Sequence, residues 1–147
     1  MNTEAFDLAT HPGHLARRLQ QTVYQLWHLQ VSSEITPPQF TVLTCLAARP
    51  DIDQKTLGDL ASLDRSTVAD VVARLVARGL IQRLRDPRDA RRNLLRLSPR
   101  GARAREDLDP HVRAMDGALL APLAGAEQVE FMRLLAKLVG PEPTASS

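Results

Sequence analysis

Apolar residues recur every three or four positions along most of this chain and alternate with polar ones in only one short region. Leu15, Leu19, Val23 and Leu26 form one stripe, flanked by Trp27 and Leu29, and predict a helix over residues 13–33. His11-Pro12-Gly13 supplies the turn before it, since proline is tolerated in a first helical turn. Thr36-Pro37 reads as a cap followed by proline at the first helical position, opening a helix over 37–48. Its inward residues are Phe40, Leu43 and Leu46 or Ala47, and Arg49-Pro50 ends it. Asp53 caps a third helix, 54–61, with Leu57 and Leu60 inward, and residues 62–64 turn the chain into a fourth.

The fourth helix and the segment after it organise the rest of the chain. Asp64 is placed to cap this helix, and Val68, Val71, Val72, Leu75 and Val76 give it one apolar face. Gly79 follows its basic end, where a glycine can take the left-handed stop conformation. Two segments, 80–85 and 94–97, then alternate apolar and basic residues as half-buried strands do, around a turn at 86–93 built from proline, acids and arginines. Helix, strand, charged tip and strand predict the recognition helix and wing of a winged helix-turn-helix. Beyond it, Ser98-Pro99 starts a helix that Pro110 should kink or interrupt and that resumes through Val112, Met115, Leu119 and Leu120. After a break at 122–125 a last helix runs over 126–139, and Gly140-Pro141 stops it.

The predicted fold class is therefore mainly α with a small β wing, a single domain over 1–147. Its DNA-binding part covers about residues 36–98, and helices for dimerisation cover about 11–34 and 99–140. Residues 1–10 are expected to form a loosely ordered lead and 141–147 a disordered tail. The first and last helices are amphipathic beyond what a small winged domain can cover, so a homodimer is expected, paired about a two-fold axis.

Charge sharpens the picture. Nine arginines and two acids between residues 83 and 105 give a local net of +7, whereas the whole chain carries only +2. Arginine on a hairpin suits phosphate neutralisation and a narrow, electronegative minor groove, so the expected partner is double-stranded DNA. Aromatics make up 3% of the chain, leaving Leu, Val and Ala to build the core. No apolar run reaches membrane-spanning length and the N-terminus lacks a signal pattern, which predicts a cytoplasmic protein without membrane association. The single cysteine, Cys45, excludes an internal disulfide and a cysteine-rich zinc site. No acid/base or nucleophile constellation is present, so an enzyme is not expected.

The string DRSTVADVVARLVARGLIQRLRDPRDARRNLLRLSPRG, residues 64–101, resembles the DNA-binding half of MarR-type bacterial regulators. The wing pattern Asp-x-Arg-Asp-x-Arg stands intact as Asp86, Arg88, Asp89 and Arg91, and the exit from the wing as Leu97-Ser98-Pro99-Arg100-Gly101. The likeness extends over about residues 12–140. It implies a small dimeric repressor or activator, often released from DNA by phenolic or other small ligands. Residues near the start of a recognition helix reach base edges, here Arg65, Ser66, Thr67 and Asp70, with Arg74 a turn further on. Arg65 can pair bidentately with guanine, and Ser66 and Thr67 can meet base or phosphate. Gln54, Lys55 and Thr56, opening the preceding helix, are expected to hold phosphate. In the wing, Arg88 and Arg91 match the family's paired arginines, Asp89 should orient an arginine, and Arg92 is expected to add a phosphate contact.

A second motif lies at Gly13-His14-Leu15-Ala16-Arg17-Arg18-Leu19-Gln20-Gln21. Two arginines at a helix start oppose the helix dipole, which favours acids there. The stretch resembles the opening of a subgroup that responds to hydroxybenzoates, hydroxycinnamates or hydroxynicotinates. That resemblance implies that Arg17 or Arg18, Arg17 ranked first, grips the carboxylate of a small aromatic acid. His11 and His14 are candidate donors to it, and Trp27 and Phe40 are candidate pocket walls or ordinary core. The arginines can alternatively serve inter-subunit ion pairs or DNA phosphates. As a metal site the two histidines lack a third ligand close in sequence, so neither metal nor cofactor is expected. The alternative regulator needs no small ligand and responds to redox at Cys45 or to a protein partner, although Cys45 sits mid-helix between Leu43 and Leu46, as a buried, inert thiol does.

Overall fold

The computed structural model describes residues 5–144. Six helices and one hairpin follow in the order α1 (Pro12–Gln30), α2 (Pro37–Ala48), α3 (Gln54–Ala61), α4 (Arg65–Ala77), β1 (Ile81–Arg85), β2 (Asn93–Leu97), α5 (Pro99–Leu120) and α6 (Gly125–Val139). This is a winged helix-turn-helix with long flanking helices.

Capping accounts for most of the helix starts. Thr36 and Gln39 form a reciprocal capping box at α2, each side chain accepting the other residue's backbone N–H. Asp53 accepts the Thr56 N–H at 2.8 Å, Asp64 the Thr67 N–H at 2.7 Å, and Ser98 the Gly101 N–H at 3.0 Å. Gly79 takes a φ of +72°, the left-handed stop expected of it. Ser62, also left-handed, closes α3 and sets the tight turn into α4.

The core lies where α2, α3 and α4 meet the hairpin. Val42, Leu43, Leu46, Leu57, Val72, Leu75 and Leu95 are all but fully buried there. In α2 the inward face is Gln39, Val42, Leu43 and Leu46, while Ala47 is exposed and Phe40 half-buried. The hairpin is antiparallel, with Ile81 opposite Leu97 and Arg85 opposite Asn93. Ile52 bridges to Leu95 as a third, one-residue strand and ties the wing to the loop before α3.

Two expectations are corrected. Residues 8–10 are not a loose lead but a single 3-10 turn, capped by Asp7 through the Ala9 N–H at 2.9 Å. Residues 1–4 and 145–147 of the predicted lead and tail lie outside the described residues. Nor is α5 interrupted: it runs as one helix through Pro110. Pro110 and Glu106 are both exposed, so the carbonyl that proline leaves without a helical donor lies on the solvent side of the helix, where the lost bond costs least.

The ends of the chain carry apolar surface without cover. No residue of α6 is buried, and Val129, Leu138 and Val139 are each more than 70% exposed. Leu15, Tyr24 and Leu29 on α1 are exposed as well. No helix among the described residues is long and apolar enough to cross a membrane.

Candidate nucleic-acid interface

The residues expected to meet DNA are carried by α3, α4 and the wing. The α3–α4 crossing is close at Gly58, where a Cβ would stand 3.2 Å from Val68 Cγ1 and 3.3 Å from the Leu63 carbonyl oxygen. That approach sets α4 with its first turn outward. Arg65 and Ser66 are exposed there and Thr67 is half-buried. Arg65 also borders a notch of about 450 Å³ between the two helices, beside Gln54, Lys55 and Asp59. Ser66 donates to the Asp64 carboxylate at 3.0 Å, which orders its hydroxyl. These hydrogen bonds hold the Asp64 carboxyl below its usual range, the Thr67 amide being the largest cause. Asp70 and Arg74, one helical turn apart, pair with each other at 3.0 Å.

The wing tip is shaped by its own acids. Asp86, nearly buried, accepts the Arg88 backbone N–H at 2.8 Å, and Asp89 accepts that of Arg91 at 2.9 Å. Asp89 thus folds the turn that projects Arg91. Arg83, Arg85, Arg88 and Arg91 are exposed and form no ion pair among the described residues. Arg92 and Arg96 differ. Arg92 is paired with Asp53, the cap of α3, and Arg96 makes a bidentate pair with Asp51 at 2.7 and 2.8 Å. Neither pairing is readable in the sequence, because the partners lie 39 and 45 positions apart.

The second motif falls on α1. A groove of about 440 Å³ separates α1 from α2, with Ala16, Leu19, Gln20, Val23 and Tyr24 on its α1 wall and Pro38 and Thr41 opposite. At 3.6 residues per turn Arg17 stands roughly 90° from the middle of that α1 face and Arg18 roughly 170°. Leu19, Val23 and Leu26 of the leucine stripe are half-buried and Trp27 is buried, and neither arginine is among the residues that line the groove. Both arginines are exposed, and neither side chain has an acidic partner among the described residues. His14 is half-buried; His11 meets the edge of Phe6 at 5.0 Å. Trp27 is in the core, tilted against Phe40 at 5.5 Å, and its indole N–H donates to the Ile35 carbonyl. Neither aromatic lines the groove. Its polar residues Gln20, Tyr24 and Thr41 were missed by sequence reasoning, since only the helix crossing brings them together. Cys45 is half-buried; burial first, then the Glu142 carboxylate, push its thiol up, away from the reactive thiolate.

An exposed helix start beside an arginine-tipped hairpin, on a three-helix core, defines a winged helix-turn-helix DNA-binding regulator. The MarR family profile matches residues 35–92. PcaV, a transcriptional regulator from Streptomyces coelicolor solved in complex with its natural ligand, is 51% identical and superposes with a TM-score of 0.88 over 93% of this chain and 97% of its own. The transcriptional regulator HosA of Escherichia coli O111:H- is 32% identical over 86% of this chain and 93% of its own. BpsR of Bordetella bronchiseptica, solved to explain regulation of its DNA binding by 6-hydroxynicotinic acid, is 29% identical with a TM-score of 0.80 over 87% and 98%. The chain belongs to the MarR family of transcriptional regulators.

Proposed function

We propose that this chain is a homodimeric repressor released from a pseudo-palindromic operator by a small aromatic carboxylate bound in the groove between α1 and α2. The observation that carries the ligand reading is Arg17, an exposed guanidinium without an acidic partner among the described residues, on the helix that walls a groove large enough for a one-ring acid. A planar guanidinium binds a carboxylate bidentately, and the helix start offers it no competing acid. Gln20, Tyr24 and Thr41 supply polar atoms for ring hydroxyls. The likeness to PcaV, solved with its ligand, and to BpsR, regulated by a hydroxynicotinic acid, supports the same class of effector.

The uncovered apolar faces of α1 and α6 support pairing with a second copy, which sets two recognition helices one helical turn apart on DNA. Arg65, Ser66 and Thr67 then face base edges, while Arg88 and Arg91 enter the flanking minor groove. Ligand loosens DNA by favouring a dimer whose recognition helices no longer fit both grooves. By linkage, DNA weakens ligand binding by the same factor, typically ~5–150-fold.

The test uses genomic fragments selected by the native protein, with Arg17→Ala and Arg18→Ala assayed for DNA affinity and for release by hydroxybenzoates, hydroxycinnamates and 6-hydroxynicotinate. Arg17→Ala should keep DNA binding and lose release. Normal release by both variants refutes the ligand site.

A further inference from the structure

The root of the wing and the start of α3 enclose a trough of about 360 Å³, bordered by Asp53, Gln54, Lys55, Arg83, Arg92 and Asn93. It lies on the side already assigned to DNA, and the inference rests on that assignment. Arg83 projects from β1 without a carboxylate partner among the described residues, and Lys55 reaches Asp59 only at 3.4 Å, with both side chains in solvent. Asp53 is the exception in this basic setting. Its carboxylate caps α3 through the Thr56 N–H, so it is fixed at the trough by the fold itself. A backbone phosphate entering beside α3 meets that negative charge.

We propose that Arg92 is a positioning residue that acts through Asp53: it neutralises the capping carboxylate so that Arg83 and Lys55 can take one backbone phosphate in the trough. The pairing of Arg92 with Asp53 engages its guanidinium on the wing root, away from the tip where Arg88 and Arg91 stand free. A capping acceptor is needed at that position, and here it is a carboxylate whose charge Arg92 balances. Arg83 takes the phosphate contact that sequence order alone gives to Arg92.

The roles separate with a mixed-sequence DNA duplex of about 30 base pairs, because phosphate binding is independent of sequence and reports as a salt slope. Arg92→Ala should weaken binding about 5-fold or more by leaving Asp53 bare. Adding Asp53→Asn keeps the cap, asparagine being as good an acceptor. The double variant should return to within about 2-fold of the native affinity, with the native salt slope. Arg83→Ala should lower the slope by about 0.9, the share of one phosphate. A double variant as weak as Arg92→Ala overturns the inference, since a direct phosphate contact or a mechanical brace would not be restored by removing Asp53. An Arg83→Ala slope equal to the native one overturns it as well. If the native chain binds the duplex and these outcomes fail, only this inference falls; a native chain without salt-dependent binding removes the DNA assignment with it.

Discussion

Gly101 is the position where a single methyl group should do most harm. It is the third residue of α5, and a Cβ built there would stand 1.9 Å from the Leu80 carbonyl oxygen and 2.9 Å from its carbonyl carbon. The obstacle is backbone at the entry to β1, so no side chain can swing aside. Ordinary contact begins at 3.4 Å, so the start of α5 must retreat by about 1.5 Å. That retreat strains three hydrogen bonds: Ser98 Oγ donating to the Gly79 carbonyl at 2.6 Å, the Ser98 N–H to Leu80 at 3.0 Å, and the Gly101 N–H to Ser98 Oγ. Overpacking costs ~1–3 kcal/mol, and each weakened bond adds ~0.5–1.5 kcal/mol. Alanine's helix preference returns up to ~1 kcal/mol. The net for Gly101→Ala is about 2–7 kcal/mol, a sizeable part of the ~5–15 kcal/mol that holds a domain together. Its melting temperature should fall by roughly 5–25 °C.

Two other glycines calibrate the claim. At Gly58 the added Cβ meets atoms at 3.2 and 3.3 Å, a few tenths short of comfort, and Gly58→Ala should cost about 1 kcal/mol. Gly117, inside the same helix as Gly101, has nothing within 4 Å, and Gly117→Ala should stabilise by up to ~1 kcal/mol. The assay is urea unfolding of the native chain and the three variants at one protein concentration, which holds any assembly term fixed. The reasoning fails if Gly101→Ala lies within about 0.5 kcal/mol of native, or if Gly117→Ala is equally damaging.

Replacing Arg91 with Ala should weaken binding to every operator and lower the salt slope by about one phosphate contact, measured by titration at several salt concentrations. Arg65→Ala should relax base preference at one position in each half-site, worth roughly 1–3 kcal/mol; equal weakening across operator variants in a binding selection would make it a phosphate contact. Acid should destabilise the fold through its caps. Asp53 and Asp64 both have carboxyls lowered from an ordinary 3.8, chiefly by hydrogen bonds from Thr56 and Thr67. Depressed folded values contribute stability that is complete above the unfolded value and lost as pH falls through the folded ones. Melting temperature should therefore hold as pH falls to about 5, then drop below about pH 4. A steep loss between pH 7 and 5 would point to other groups.

The sequence carried the local signals and lost the distant ones. Asp53, Asp64, Ser98 and Gly79 announce helix ends because a cap bonds within three residues of itself, and all four act as their positions imply. The valine and leucine spacing of α4 likewise marks its buried face. Pro110 misled because a missing N–H matters only where the orphaned carbonyl is buried, and exposure is a tertiary property. On α1 the stripe marks the covered side at Leu19, Val23, Leu26 and Trp27, although Leu15 at its start stays exposed; the groove beside it, which brings Gln20 and Tyr24 opposite Thr41, exists only once α2 is in place.

The arginine cluster shows what such distance does to an electrostatic argument. Nine guanidiniums between residues 83 and 105 look like one continuous cationic surface, but three of them are answered from elsewhere on the chain: Arg92 by Asp53, Arg96 by Asp51 and Arg105 by Asp109. The positive field is therefore narrower than the local net of +7 indicates. It concentrates at the tip, on Arg88 and Arg91, along β1 on Arg83 and Arg85, and at the start of α5 on Arg100 and Arg103. The answered arginines of the wing, Arg92 and Arg96, sit at its root, where it meets the loop before α3, and there the pairs fix geometry between elements instead of meeting a ligand. The wing therefore carries two kinds of arginine: free cations at its end, and paired ones where it is joined to the loop before α3 and to the cap of that helix.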